Sequence, residues 1–415
     1  MDRISTNLPN DNMQFYLRER QKLMEQTQNQ IASQTRIQNL RDDPLAASHA
    51  TRYRSYTVRL ERFSDNIQTV QERNQIAEGY VQHATDLLQR ARELAVQGAN
   101  GTYAPEDLQQ MSVEVDQILA EMVELANARG SDGTTIFSGD RSQQLPFRAL
   151  RGIRAGSGGD TITEVQYRGT INPQSAEVAE NSYISSNFIG NQVFWAENQQ
   201  VQSRTDARDF QVNQDGAFMI DGVTVPVREG DNAFSIIQRI NESGAPVRAR
   251  LDPVYSSLVI EGTTPHQIWM EDTPGSTVLQ DLGLIGGGDG RAPENIAASA
   301  RRSGGSVFDA LITLRDQMVS GDQEAIGSRG INGMDQALDN MFATLGRIGA
   351  VNSRLDSAFE RTEMEIPEVI AQDSRNTDVD LAEAVMELRQ LEQTHRAALG
   401  ASARIIQPTL LDFLR

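Results

Sequence analysis

The chain contains no cysteine and, among its 38 basic side chains, one lysine, Lys22. The first absence excludes disulfides, thiolate nucleophiles, thiolate zinc sites and iron-sulfur clusters. The second excludes a P-loop and leaves Lys22, inside a polar helical stretch, as the one residue able to form a Schiff base. Histidine is nearly as scarce, and His49, His83, His266 and His395 are too far apart for a helical metal-binding pair. Aromatic residues make up 6% of 415 positions, which argues against large compact cores. No apolar run approaches the ~18 residues of a membrane span. The polar stretch Met1 to Asn12 does not read as a cleavable leader. The default expectation is a cytoplasmic chain, unless a dedicated export machine reads an uncleaved N-terminal segment. Enzyme chemistry would have to rest on carboxylates.

The net charge of -19 argues against nucleic acid or an anionic membrane face as partner. Residues 1 to 60 are nonetheless net +3 and residues 301 to 415 net -6. The two ends therefore attract each other, or the end of a neighbouring copy. At roughly 100 to 200 residues per domain there is room for two to four domains.

What is present is a long helical repeat. Asp43 is placed to cap a helix and Pro44 to occupy its first position. From there Ala46, Tyr53, Leu60, Ile67, Asn74, Val81, Leu88 and Ala95 recur every seventh residue. Their companions are His49, Tyr56, Phe63, Val70, Ala77, Ala84, Ala91 and Gly98. A helix over 44–98 is about 80 Å long, typical of a rod. Asn74 in the seam would cost stability but fix register. Asn100-Gly101 breaks the pattern and Pro105 restarts it through Leu125, making a helical hairpin. A third long helix is expected over 331–365, from Ile331, Met334, Leu338, Met341, Leu345, Ile348, Asn352 and Leu355. Each terminal segment shows only a narrow apolar stripe, Met13, Leu17, Met24 and Ile31 in one and Leu381, Ala384, Leu388, Leu391, Ala398 and Ile405 in the other. Residues 1 to about 40 and 370 to 415 are therefore expected to order only against a partner.

Between about Thr134 and Gly288 the heptads give way to short β-rich runs punctuated by glycine. Phe218 to Val227 predicts a hairpin around Asp221-Gly222. Asn232 caps a short helix that stops at Ser243-Gly244. Strands are expected at 247–251, 257–261 and 267–271, and a short helix at 276–284. The stretch Gln211 to Gly222 resembles a calcium loop at Asn213, Asp215 and Gly216, but Gln211 and Gly222 stand where acidic ligands belong, so a hairpin turn is the better reading. The glycines at 286 to 290 precede Arg291-Ala292-Pro293 rather than a helix start and read as a linker. His49 and His395 fall on heptad seams as packing residues. No metal, cofactor or catalytic set emerges.

The ends carry a more specific signal. Arg3-Ile4-Ser5-Thr6-Asn7, Gln30-Ile31-Ala32-Ser33 with Arg36-Ile37, and Asp42-Asp43-Pro44-Leu45-Ala46-Ala47-Ser48 resemble the N-terminal signature of the flagellin superfamily. Leu345 to Leu355, with Asn352-Ser353-Arg354, then Asp378, Asp380, Ala382 and Glu383, then Pro408 to Leu414, resemble its C-terminal signature. Within it, Ile136-Phe137-Ser138-Gly139 followed by Pro146-Phe147 is similar to the hook-to-filament junction branch, the hook-associated protein 3 family; flagellins usually carry Asn before that glycine. Val165 to Gly169 and Gly190 to Phe194 resemble a junction-protein β segment. Residues 218–285 look like a flagellin hook IN module, with Ile220-Asp221-Gly222 and Ile240-Asn241 in place. Pro367 departs from an uninterrupted C-terminal helix.

The resemblance implies a mostly α fold with an inserted β-rich region: an elongated antiparallel helical rod with flagellin-like terminal arms and a discontinuous α+β head. The expected segments are an axial arm 1–43, a helical hairpin 44–133, a β-rich domain 134–208 and a hook IN-like module 209–286. A Gly-rich linker 287–304, returning rod helices 305–366 and an axial helix 367–415 follow. It further implies a non-enzymatic subunit of the bacterial flagellum that self-associates in a ring or short tube and leaves the cell by type III export. Its neighbours would be hook-associated protein 1 and flagellin, with an export chaperone on the C-terminal helices. The polymer or chaperone interface would be Ile4, Leu17, Met24, Ile31, Ile37, Leu388, Leu391, Ala398, Ile405, Leu410, Leu411 and Phe413. Two other readings stay open: a flagellin, and a secreted rod carrying a carboxylate-based hydrolase in its β insertion.

Overall fold

The computed structural model describes residues 8–39, 41–130, 132–153, 160–287 and 290–405. The chain divides into two compact units, residues 1–65 with 359–415, and residues 66–358. Helix α1 is Leu8–Ser33, α2 is Pro44–Gly98 and α3 is Pro105–Ala126. The Asp43 carboxylate accepts the Ala46 amide at 3.0 Å, and that bond is the first reason its pKa lies below the ordinary value. Asp107 likewise accepts the Ala104 amide at 3.1 Å where α3 begins. Every seam position of α2 from Leu60 to Gly98 is buried. Burying each Leu, Ile or Val contributes about 1.5–3 kcal/mol, so the heptads, rather than helix propensity, account for the length of α2.

The insertion opens with a hairpin, β1 (Phe147–Ile153) and β2 (Asp160–Tyr167), then β3 (Ser175–Ala179), β4 (Ser182–Ser185), a short helix α4 (Gly190–Val193) and β5 (Gln200–Gln202). Next come β6 (Gly216–Ile220), β7 (Val223–Val227), α5 (Ala233–Glu242), β8 (Val247–Leu251), β9 (Leu258–Gly262), β10 (Met270–Asp272), α6 (Val278–Asp281) and β11 (Arg301–Ser303). The β6–β7 turn places both Asp221 and Gly222 at positive φ, the geometry a tight hairpin demands. Asn232 accepts the Ser235 amide at 2.9 Å and starts α5 where the sequence says. Beside the two-stranded pairs β1-β2 and β3-β4, the larger sheets are β10-β6-β7 and β11-β5-β9-β8, antiparallel throughout. They enclose a core of Phe218, Ile220, Ile236, Ile240, Ile260 and Leu284.

Two expectations are corrected here. The stretch 287–304 is not a free linker over its described residues: Asn295 is buried and donates to the Met270 carbonyl at 2.8 Å, Ile285 bridges to Ile296, and Arg301–Ser303 pairs with β5. The module therefore takes strands from both sides of 209–286: β5 lies between β9 and β11, and β11 covers the edge of β5. The helix break expected at Pro367 lies further on. After α7 (Val307–Ser320), α8 (Gln323–Ala325) and a π-helical turn at Ile326–Gly330, helix α9 runs from Ile331 through Pro367 to Thr377, and α10 is Leu381–Ile405. Ile366 and Val369, on either side of the proline, pack on Leu60 and Phe63. That packing offsets the ~3 kcal/mol a helix-interior proline costs.

In the larger unit α2 and α9 run antiparallel. Gln71 bonds Asp356 at 2.7 Å, Asn74 bonds Asn352 at 2.8 Å and Arg92 bonds Asp335 at 2.5 Å. Residues of α2, α3, α7 and α9 share one apolar core with Phe137, Phe147 and Phe194 of the insertion. Arg315 on α7 is 3% exposed and joins these parts. Its guanidinium donates to Asp116 on α3 at 2.7 Å, to the Ile162 carbonyl on β2 at 2.8 Å and to Asp316 at 3.0 Å. Arg315→Leu should lower the stability of this unit by about 2–3 kcal/mol, because it strips a buried carbonyl and two partly covered carboxylates of their donor. Denaturant unfolding measures it, and a loss below about 0.5 kcal/mol would show that the triad is idle.

The two-sheet module of the insertion is pinned by a second buried group. His266 is 2% exposed; its Nε2 lies 3.0 Å from Asp221 Oδ2 and its Nδ1 2.8 Å from the Thr264 carbonyl. Both partners are acceptors, so the ring satisfies both only as the doubly protonated imidazolium. Burial by itself would lower the pKa, but the Asp221 hydrogen bond and charge, with the Thr264 carbonyl, outweigh it and hold the value above normal. A folded pKa raised above the unfolded one contributes stability that is complete below about pH 6.5 and is lost as pH rises through the folded value. The thermal midpoint should accordingly fall on going from pH 6 to well above the raised pKa, and His266→Gln should flatten that segment of the profile. A parent profile that rises or stays flat there overturns the assignment.

Candidate assembly surfaces

The two terminal arms meet in the smaller unit. α1 lies along α10, and Leu17, Met24, Ile31, Leu388, Leu391 and Ala398 are each half-buried. The loops that lead into the arms are stitched together by backbone bonds: Arg36 N to the Thr377 carbonyl at 2.7 Å and Val379 N to the Gln34 carbonyl at 3.1 Å. The Arg36 side chain adds the Asn376 carbonyl at 3.0 Å and the Asp43 carboxylate at 3.4 Å. The signature acids hold the backbone at the roots of the arms, Asp42 in the loop before α2 and Asp380 as the cap of α10. Asp42 accepts the Asn39 amide at 2.9 Å, and Asp380 accepts the Ala382 and Glu383 amides at 2.9 and 3.2 Å.

Each apolar stripe therefore faces the other arm of the same chain, so the partner expected for ordering is intramolecular in this structure. Ile37 is half-buried beside the stitched loops. Ile4, Leu410, Leu411 and Phe413 lie outside the described residues, as does the side chain of Ile405. What the arms leave exposed is a second set: Phe15, Tyr16 and Leu23 on α1, and Leu381, Val385, Met386 and Leu399 on α10. Leu381, the first residue of the C-terminal stripe, is exposed and forms an apolar line at helical spacing with Val385 and Leu399, a signal the sequence also carries.

The insertion gathers four separate segments at one point. The Phe137 ring meets Phe194 edge-on at 5.1 Å, and Phe147 contacts Phe194 at 5.4 Å, Tyr167 at 5.2 Å and Phe308 at 5.1 Å. The Tyr167 hydroxyl lies 3.1 and 2.9 Å from the Phe137 and Thr170 carbonyls, and burial pushes its pKa up. At Gly190 a Cβ would stand 2.8 Å from the Phe137 carbonyl and 2.9 Å from the Phe147 ring, so the close approach requires glycine. Ser138 is fully buried, its hydroxyl 2.5 Å from that of Thr135. The Asp140 carboxylate accepts the Thr170 hydroxyl, the main cause of its lowered pKa.

Other carboxylates of the insertion serve as caps and ties. Asp272 accepts the Leu279 and Gln280 amides, Asp231 pairs Arg239 at 2.9 Å, and Asp221 holds His266 and the Trp269 amide. Among the described residues no group of three or more His, Asp or Glu is arranged to hold a metal, and no helix is long and apolar enough to cross a membrane. A cavity of about 170 Å³ beside α2 is lined by Arg73, Asn74, Asp132, Gln174 and Asn187, with Arg73 and Asp132 paired at 3.1 Å.

Residues 4–142 match the bacterial flagellin N-terminal helical region and residues 331–414 match the bacterial flagellin C-terminal helical region. Flagellin FlaB1 of Treponema pallidum is 36% identical over 109 residues, 26% of this chain and 38% of that protein. A flagellar filament 30.7 kDa core protein of Treponema maltophilum is 32% identical over 145 residues, 35% of this chain and 50% of that one. The chain thus spans half or less of the length of these relatives. Flagellin B of Vibrio anguillarum is 24% identical over 408 residues, 97% of this chain and 96% of that protein. Among solved structures, flagellar hook associated protein-3 from Legionella pneumophila covers 78% of this chain and 97% of its own at 16% identity and a TM-score of 0.47. FlgL of Bacillus cereus covers 78% and 99% at 15% identity and a TM-score of 0.42. With both terminal regions matched in order, over slightly more than half of its residues, the chain belongs to the bacterial flagellin family of structural proteins.

Proposed function

We propose that this chain is the subunit of the junction between flagellar hook and filament, exported from the cell and polymerising as a ring or short tube through its terminal helices. The observation that carries the reading is the convergence of Ile136–Gly139, Pro146–Phe147, Val165–Gly169 and Gly190–Phe194 on one aromatic core. These are the four segments that resemble junction proteins, and they support one another in space. Ser138, where flagellins usually carry Asn, is enclosed and hydrogen-bonded, so the larger carboxamide would have to displace its neighbours. On this reading hook-associated protein 1 and flagellin are the neighbours, and an export chaperone covers α10 before type III export.

The end-to-end alignment with a flagellin favours a second reading, the filament subunit. A strain lacking this protein separates the two. The junction reading expects hooks without filaments and abundant flagellin shed into the medium. Loss of filament with no shed flagellin would establish the filament-subunit reading.

The interface is proposed to comprise the apolar stripes of both arms together with the exposed residues that flank them. Met386→Asp with Leu399→Asp changes only exposed positions. It should leave the thermal transition of the β-rich unit and the secreted amount unchanged while abolishing filament attachment. Leu388→Asp with Leu391→Asp charges the α1–α10 contact and should cost several kcal/mol locally. Trypsin should then cut the arms first. Normal motility from both double variants at normal secreted amounts would remove α10 from the interface.

A further inference from the structure

The four-stranded sheet β11-β5-β9-β8 turns one face away from the module core, and its register collects basic residues there. Arg301, Gln202, Val259 and Arg250 stand in one row across the strands, open at its arginine ends while Val259 between them is fully covered; Ser303, Gln200, Glu261 and Arg248 stand in a second row on the same face. With strands about 4.8 Å apart, Arg301 and Arg250 are separated by about 14 Å. Arg204 follows β5 directly. All four arginines are exposed, and none of their guanidinium groups has an ion-pair or hydrogen-bond partner among the described residues. Nearby acids offset part of this charge: Glu261 stands opposite Arg248, Asp206 lies 3.9 Å from Arg208, and Asp252 accepts the Tyr255 amide, so with Arg208 counted the arginines still outnumber the carboxylates.

This is a local reversal of sign in a chain of net charge -19. At physiological salt the screening length is about 8 Å, so a ligand on this face responds to the arginines and hardly to the remote acids. A cleft of about 340 Å³ opens on the face, lined among the described residues by Gln202, Ser203, Arg204, Tyr255 and Arg301, with no carboxylate in that set. That volume lies at the low end of small-molecule sites and far exceeds a bare oxyanion. Two guanidinium forks match a carboxylate, and the Gln202 carboxamide offers a donor and an acceptor for hydroxyls. The Tyr255 ring, 62% exposed, supplies a flat apolar platform with a free hydroxyl at its edge. We propose that this cleft binds an acidic saccharide, its carboxylate held between Arg204 and Arg301 and its ring laid on Tyr255. A continuous polyanion is disfavoured by the acidity of the whole surface; a single acidic sugar in a screened cleft is not.

Calorimetric titration of the purified full chain tests this with four probes: trigalacturonate, neutral galactotriose, a triglutamate peptide and inorganic phosphate. Trigalacturonate should bind tightest, and more weakly as salt is raised. Arg204→Gln with Arg301→Gln should raise its Kd about ten- to a hundredfold, as expected for the loss of two solvent-exposed charge pairs, without moving the thermal midpoint. Tyr255→Ala should weaken trigalacturonate while leaving any weak phosphate binding as it was. The proposal is overturned if trigalacturonate does not bind, if galactotriose binds equally, or if the double variant keeps its affinity. It is equally overturned if triglutamate binds as tightly, which would make the face a protein-docking surface, or if phosphate does, which would make it a plain anion site.

Discussion

The antiparallel register between α2 and α9 is the constraint on which the rest of the larger unit depends. A seam of Val, Leu and Ala by itself tolerates a shift of one heptad, since one apolar position resembles the next. Asn74 removes that freedom: buried in the seam, it bonds Asn352 across the interface, and a shifted register would set its carboxamide against aliphatic side chains. The pairs Gln71–Asp356 and Arg92–Asp335 then fall into place, 21 positions apart on each helix (71 to 92, 335 to 356). With the helices fixed, the points at which the chain enters and leaves the β-rich insertion are fixed too. Arg315 closes the arrangement by tying α7 to α3 and β2.

The family signature residues act through the same kind of local chemistry. Asp42, Asp43 and Asp380 hold the backbone at the points where helices begin, and Arg36 reaches across to the carbonyls that end α9. The two arms are therefore joined at their roots as well as along their apolar stripes. An arm held in this way can present its flanking residues, Tyr16 and Leu23 or Val385 and Leu399, to a neighbour without first being ordered. Such pre-ordering lowers the conformational entropy cost of assembly.

Much of the local structure was legible because it is written in short-range chemistry. Pro44 and Pro105 mark the first residues of α2 and α3, Asn232 caps α5, and Asp221-Gly222 makes the β6–β7 turn. The errors came where tertiary packing overrides a local signal. Pro367 reads as a helix stop, but Ile366 and Val369 have Leu60 and Phe63 to pack on, and the helix continues to Thr377. The glycine-rich stretch after Ile285 reads as a linker, but Asn295 finds the Met270 carbonyl and Arg301–Ser303 finds the free edge of β5. The junction-like segments around Phe137, Phe147, Tyr167 and Phe194 were visible one by one, and nothing in their spacing showed that they share a core.

The sequence by itself determined the helical seams, the caps, the turns and the family, because each is set by residues a few positions apart. Only the tertiary structure decided what those seams face. The stripes of α1 and α10 turn toward each other, and the arginines of β8 and β11 come to one sheet face with Arg204 beyond β5. The physical reason is the same in both cases: a helix face or a strand row becomes a surface only when distant segments are brought beside it, and periodicity records the face without recording its neighbour.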